Sequence, residues 1–216
     1  IFDDDRYFDV FVEYAKSGPE DLLMRVTIHN RGPEEAVLHV LPQLWFRNTW
    51  SWEPGQPRPV LRMDTASSII AEDPQLGNYR LSIEQNAETR PEFLFCDNET
   101  NARRLFGEAD AKGYFKDAFS DFLVRGQKEA VNPARTGTKA GVLFKLSIPS
   151  LSSASLGLRL RRTDRNRANN GNGGSATAPR QLTNFDATFS KRVQEADEFY
   201  AARVGLVVGL AAGKQR

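Results

Sequence analysis

Three tryptophans fall within eight residues, in Leu44-Trp45-Phe46-Arg47-Asn48-Thr49-Trp50-Ser51-Trp52, and the chain has no others. Indole faces stack on the apolar C–H faces of sugar rings, while arginine and asparagine reach hydroxyl groups. Trp45, Arg47, Asn48, Trp50 and Trp52 therefore make a set suited to a carbohydrate cleft. The same residues also fit a plainer role, in which Trp45 and Phe46 finish a core strand and the other two pack a loop. A second set, Phe95-Cys96-Asp97-Asn98-Glu99-Thr100-Asn101, places carboxylates and carboxamides straight after an apolar strand end. Asn98, Glu99 and Asn101 offer oxygens to sugar hydroxyls or to calcium, but the spacing lacks the glycine and final glutamate of an EF-hand loop. The structural alternative for this set is a turn that caps a short helix through Arg104. Asp3-Asp4-Asp5 reads as a solvated lead into the first strand.

A third set, Asn132 to Gly141, carries Arg135 and Lys139 among glycines. Its spacing is not that of a P-loop and it runs into a strand, which excludes nucleotide binding; Arg135 stands with Asn98, Glu99 and Asn101 behind the tryptophans. His29 and His39 sit inside strand-like sequence. His39, among Val37, Leu38, Val40 and Leu41, reads as a hydrogen-bonded core histidine. No Ser-His-Asp set and no metal-ligand spacing occurs, and the 28 acidic residues single out no pair for glycoside hydrolysis. The pattern assigns these residues to binding or inter-domain contact, with no catalytic residue, cofactor or metal.

The rest of the composition bounds the partners. The 216 residues suffice for one good-sized domain, and 29 Lys plus Arg against 28 Asp plus Glu leave a net charge of +1. That balance supplies no basic field for nucleic acid. One cysteine excludes an intrachain disulfide, and no apolar run reaches the ~18 residues that span a bilayer. A lone thiol without a signal sequence leads us to expect a soluble, cytoplasmic protein, and the absence of an initiator methionine either removal of a preceding segment or an internal piece of something longer.

Period-two alternation dominates the chain and must position the sets above. Phe8, Val10, Val12 and Tyr14 alternate with polar neighbours, then Met24, Val26 and Ile28 do so, and Val37 to Phe46 is apolar enough to be covered on both faces. These three predict an antiparallel meander. Further strands are expected at Ser67–Glu72, Tyr79–Gln85, Glu92–Cys96, Phe122–Gly126, Ala140–Ile148 and Ala154–Arg161, the last two joined by what reads as a short hairpin loop at 149–153. Nine or so strands without βαβ units predict a mainly β fold, an antiparallel β-sandwich over residues 1–162. Residues 163–183, rich in Asn, Gly and Arg, predict a mobile loop. Asn184 to about Arg203 predicts the one amphipathic helix, with Phe185, Phe189, Val193, Ala196 and Tyr200 on one stripe and Thr183 with Asp186 as a capping box variant. Residues 204–216 form a glycine-laced apolar tail.

Several blocks, in order, resemble large bacterial glucosidase-like proteins related to glycoside hydrolase family 63, the processing α-glucosidase group. They are Phe2 to Lys16, His39 to Trp52, Asn98 to Asn101, Asp121 with Val131 to Ala140, and Ala196 to Tyr200. The resemblance implies a β-supersandwich, here incomplete, packed on an (α/α)6 barrel that carries the acid and base of an inverting hydrolysis. It further implies that this chain is the non-catalytic sandwich portion, shaping an α-glucoside site or packing on the missing barrel or a second copy. Three alternatives stay open. One is a free-standing carbohydrate-binding module; a second resembles sugar mutarotases, with His29 or His39 facing a concave sheet beside a glutamate; the third is a purely structural or interaction domain in which none of these residues meets a ligand.

Overall fold

The computed structural model of the chain describes residues 6–53, 55–84, 90–163 and 184–213, with the side chains of the last segment described to residue 203. Eleven strands build two antiparallel sheets. The larger has the order β1 (Phe8–Gly18), β2 (Asp21–Asn30), β11 (Ser153–Arg162), β7 (Gly77–Ile83), β6 (Ser68–Asp73), β5 (Val60–Thr65) and β9 (Thr136–Gly137). In the smaller, β10 (Lys139–Ile148) is central. It pairs β3 (Ala36–Val40) and β4 (Gln43–Trp45) along one side and β8 (Glu92–Cys96) along the other.

Alternation explains the core. Val26 and Ile28 of β2, Leu156 and Leu158 of β11 and Ile69 and Ala71 of β6 face Phe95 of β8 and Ala140, Val142, Phe144, Leu146 and Ile148 of β10. Each such large apolar side chain, once buried, contributes roughly 1.5–3 kcal/mol. The opposite parity of the small sheet, Leu94, Cys96 and Leu143, packs under Ala118, Phe119 and Phe122 of helix α2 (Ala118–Val124). The mainly β sandwich expected from the pattern is the fold.

Several local expectations are overturned. The first three strands are no meander: β1 and β2 form a hairpin, whereas β3 crosses to the other sheet. The apolar run 37–46 is broken in two, because Pro42 has no N–H for the ladder. Its outer face is open, so His39 is exposed opposite Lys145 and not a core residue. The hairpin expected at 149–153 is a crossing between sheets, since β10 and β11 each turn their apolar faces toward the other across the core. Residues 122–126 are helical up to Val124, because Ala118, Phe119 and Phe122 recur at helical spacing against the small sheet. A further short helix, α1 (Ala102–Phe106), follows the 97–101 loop.

Helix α3 runs Phe185–Gly213, past the expected end at Arg203. Glycines at 205 and 209 cost about 1 kcal/mol each relative to alanine. Only the start of its stripe is buried: Phe185 and Phe189 pack on Ala15 and Leu23, while Val193 and Tyr200 are exposed. Arg25 fixes that first turn by pairing with Asp186 at 2.5 Å and lying 4.2 Å from the Phe189 ring centroid. The Asp3–Asp5 run, the Thr183 cap and all but the first residue of the loop expected over 163–183 lie outside the described residues; Thr163 donates its N–H to Asn78 O at 2.8 Å. No helix among the described residues is long and apolar enough to cross a membrane.

Candidate functional site

Three connections converge at one end of the small sheet: residues 46–59 after β4, residues 97–101 after β8, and residues 131–138 leading into β10. They meet because β4 and β8 flank the same three residues of β10, Lys139 to Gly141. Thr138, buried just before that ladder, accepts a hydrogen bond at its Oγ1 from Asn98 N at 2.8 Å, and its own N–H reaches Asp97 Oδ1 at 3.1 Å. Asn98 Nδ2 donates to Phe46 O at 2.8 Å, and Asn48 Nδ2 donates to Asn98 O at 3.2 Å. The two loops predicted to act together are thus laced to each other through their carboxamides.

Trp50 completes the lacing. Its indole Nε1 donates to Glu99 Oε1 at 3.2 Å, and the Arg58 guanidinium meets the same oxygen at 3.1 Å and Asp97 Oδ1 at 2.7 Å. Arg58 also lies 5.9 Å from the Trp50 ring centroid. Both carboxylates of the loop are therefore engaged in holding one cation. Arg58 is the residue the sequence reading missed. It stands alone in Gln56-Pro57-Arg58-Pro59, where two prolines hold the backbone extended but nothing announces a partner.

Trp45 and Trp52 differ from Trp50 in kind. Trp45 projects from the outer face of β4 and is 54% exposed; Trp52 is 65% exposed, with Arg47 5.2 Å from its ring centroid. Arg47 and Trp52 pair as a cation–π unit with open faces. Phe46, between them in sequence, points inward to the core, so the strand end does finish the core through Phe46 and not through Trp45.

Two of the nine selected residues stand apart. Asn101 caps α1 by accepting from Arg104 N at 3.1 Å, and its Nδ2 donates to Asp117 at 3.1 Å. That is the helix-capping alternative read from the sequence. Arg135 is exposed in a left-handed turn (φ 54°), and its main-chain oxygen accepts from Met63 N at 3.1 Å, on the side of the large sheet. The histidines lie on outer faces of different sheets: His29 packs edge-on to Phe11 at 5.6 Å, and His39 is exposed on β3. Among the described residues no cluster of His, Cys, Asp and Glu could hold a metal ion.

Two clefts lie under α3. One of about 460 Å³ is lined by Glu13, Arg25, Phe189, Val193, Asp197 and Glu198; another of about 400 Å³ by Arg25, Glu84, Gly157 and Asn184 to Ala187. The tryptophan end is a braced surface with two exposed indoles, Trp45 and Trp52.

No protein-family model matches the chain, and no solved structure matches it. The sequence is similar to an uncharacterized protein of Saccharomyces cerevisiae, 32% identical over 226 aligned residues. The match takes in 91% of this chain and 20% of that protein, so the chain spans about a fifth of the relative's length.

Proposed function

We propose that this chain is a non-catalytic β-sandwich portion of a longer, glucosidase-like protein, and that its tryptophan end faces carbohydrate of the α-glucoside class. The observation that carries the reading is the division of labour among the tryptophans. Trp50 is tied into a polar brace, while Trp45 and Trp52 keep open faces beside it, Trp52 with Arg47 at its ring. Stacking on such faces needs no enclosed pocket, and sugar hydroxyls find arginine and carboxamide groups alongside. Asp97 and Glu99 each turn one oxygen to Arg58, which suits scaffolding better than proton transfer to a substrate. A relative about five times as long, matched over a fifth of its length, supports the role of one part within a larger protein. The lone buried thiol fits a reducing compartment, and we keep the cytoplasm as the location.

A second reading assigns the same end to contact with a helical domain of the longer protein. Leu105 and Phe106, both exposed on α1 directly after the 97–101 loop, favour it. Soluble α-glucan oligosaccharides added to the chain decide between them. Quenching of tryptophan emission that Trp52→Ala and Trp45→Ala each weaken supports sugar binding. Unchanged emission at saturating glucan refutes it and leaves the docking role.

A further inference from the structure

β1 is an edge strand of an unusual kind. Among the described residues it pairs only β2, and its alternation places Val10, Val12 and Tyr14 opposite Ile28, Val26 and Met24, on the core side of the large sheet. The small sheet does not reach over them: they are 52%, 49% and 63% exposed, although Ile28 and Val26 beside them are buried. The core face of the sandwich thus runs out from under its cover from Val10 to Tyr14 of β1, beyond Phe8, which still packs on the core. Exposed edges are ordinarily blunted by shortness, lysine, proline or a bulge. The opposite edge, β9, is two residues long, but β1 has eleven, and from Phe8 to Ala15 it has no lysine, proline or bulge.

We infer that a second copy of this chain pairs along β1, antiparallel about a two-fold axis through Val12, and joins the two large sheets into one. The register follows from the sequence of the strand. Directly opposed residues share a face, so a symmetric antiparallel pair must centre on a residue. Val12 is the midpoint of the regular stretch Phe8 to Lys16, which ends where the ladder shifts between Lys16 and Gly18. Centred there, the core face sets Val12 against Val12, Val10 against Tyr14 and, at its ends, Phe8 against Lys16, while the outer face sets Phe11 against Glu13 and Asp9 against Ala15. Moving the axis one residue either way puts Asp9 opposite Glu13, or Glu13 opposite itself, and like charges directly opposed destabilise a pair. Only the Val12 axis combines full overlap, an apolar centre to the core-side row and no like-charge pair. A net charge of +1 offers little overall repulsion between copies.

Helix α3 fits the same arrangement. It starts over Gly157 of β11, passes Arg25 of β2 and lies against Glu13 of β1 by residues 189–198, so it crosses the strands toward this edge. Its 29 residues make a rod of roughly 43 Å, and Phe199 and Tyr200, at the crossing's far side, are exposed. In the pair this overhang lies above the partner's β1, where Phe11 is exposed on the outer face.

Light scattering on the full chain at about 100 μM, where even a micromolar dimer is mostly assembled, is the first test. Twice the 24.2 kDa chain mass is expected. Val12→Lys, at a half-exposed position, is expected to return the monomer with an unchanged far-UV spectrum, while Val37→Lys on exposed β3 leaves the dimer intact. Val12→Cys is expected to form a covalent dimer under mild diamide oxidation, and Phe11→Cys, off the axis, is not. A monomeric native chain overturns the inference, as does a dimer that survives Val12→Lys or cross-links through Phe11→Cys and not Val12→Cys.

Discussion

The indole of Trp50 and the carboxylate of Glu99, 49 residues apart in the chain, share a 3.2 Å hydrogen bond, and Arg58 closes the group on the same oxygen. Two connections from different strands are thereby fixed to each other at the end of the small sheet.

Removing the middle member should release both loops. Glu99→Ala leaves the Trp50 N–H and the Arg58 guanidinium without that acceptor. The group is partly solvated, so the cost to stability is about 1 kcal/mol and no more. The larger effect is expected in Trp50 emission, which shifts to the red as the ring gains water. An emission maximum identical to that of the native chain would show that the brace does not hold Trp50.

Asn30, at the end of β2, sits buried between the sheets. Its Nδ2 donates to Glu34 O at 2.8 Å and to Ile148 O at 2.9 Å, and its Oδ1 accepts from Gly32 N at 2.9 Å. Asn30→Ala should cost about 1–3 kcal/mol, the penalty of buried groups left unpaired. Asn30→Asp should cost more, because a carboxylate oxygen would replace the donor facing two carbonyls. Urea midpoints of the three proteins give the order; equal stability of the two variants would contradict it.

Gly137 has no room for a side chain. A Cβ there would lie 2.2 Å from the main-chain oxygen of Cys96 and 2.8 Å from its carbon, neither of which can swing away. Gly137→Ala should therefore push β9 from β8 at a cost of about 1–3 kcal/mol, and disturb the Asp97–Arg58 pair that begins one residue later. A melting temperature within a degree of the native value would refute the close approach.

Burial pushes the Cys96 thiol from 9.0 up to about 12, with Lys139 acting in the opposite sense. An unfolded chain therefore releases this proton near pH 9, whereas the folded chain keeps it until about pH 12. The stabilisation from Cys96 is complete below pH 9 and is lost as pH rises through that window, by up to ~1.4 kcal/mol per unit. Cys96→Ala should lose stability less steeply than the native chain between pH 9 and 11, measured by denaturant titration. Iodoacetamide at pH 8 should leave the folded thiol unmodified.

Much of the sandwich was legible because burial on one face writes itself as alternation. Glu92–Cys96 shows this in five residues, with Phe93 and Phe95 facing one layer and Leu94 and Cys96 the other. Which strands are neighbours was not legible, because alternation records a face and not a partner; β10 and β11, close in sequence, therefore read as a hairpin. Residues 122–126 were misread because Phe122 and Leu123 satisfy a strand as well as a helix until Ala118 and Phe119 are counted with them. At the tryptophan end the sequence marked Trp50 and Glu99 separately, through residue type, and the loop lacing joins them. Arg58 carried no such mark, and Asn101 and Arg135 proved to serve backbone geometry.

β11 lies between β2 and β7, and every strand of the larger sheet other than β11 precedes residue 138. A nascent chain that has emerged only to residue 152 therefore holds two half-sheets with no ladder between them, β1 and β2 on one side and β7, β6, β5 and β9 on the other. Their apolar rows must wait on the ribosome for ten more residues, Ser153 to Arg162, to be inserted as a wedge. Translation speed over that short stretch sets how long the unfinished halves stay open to the wrong company.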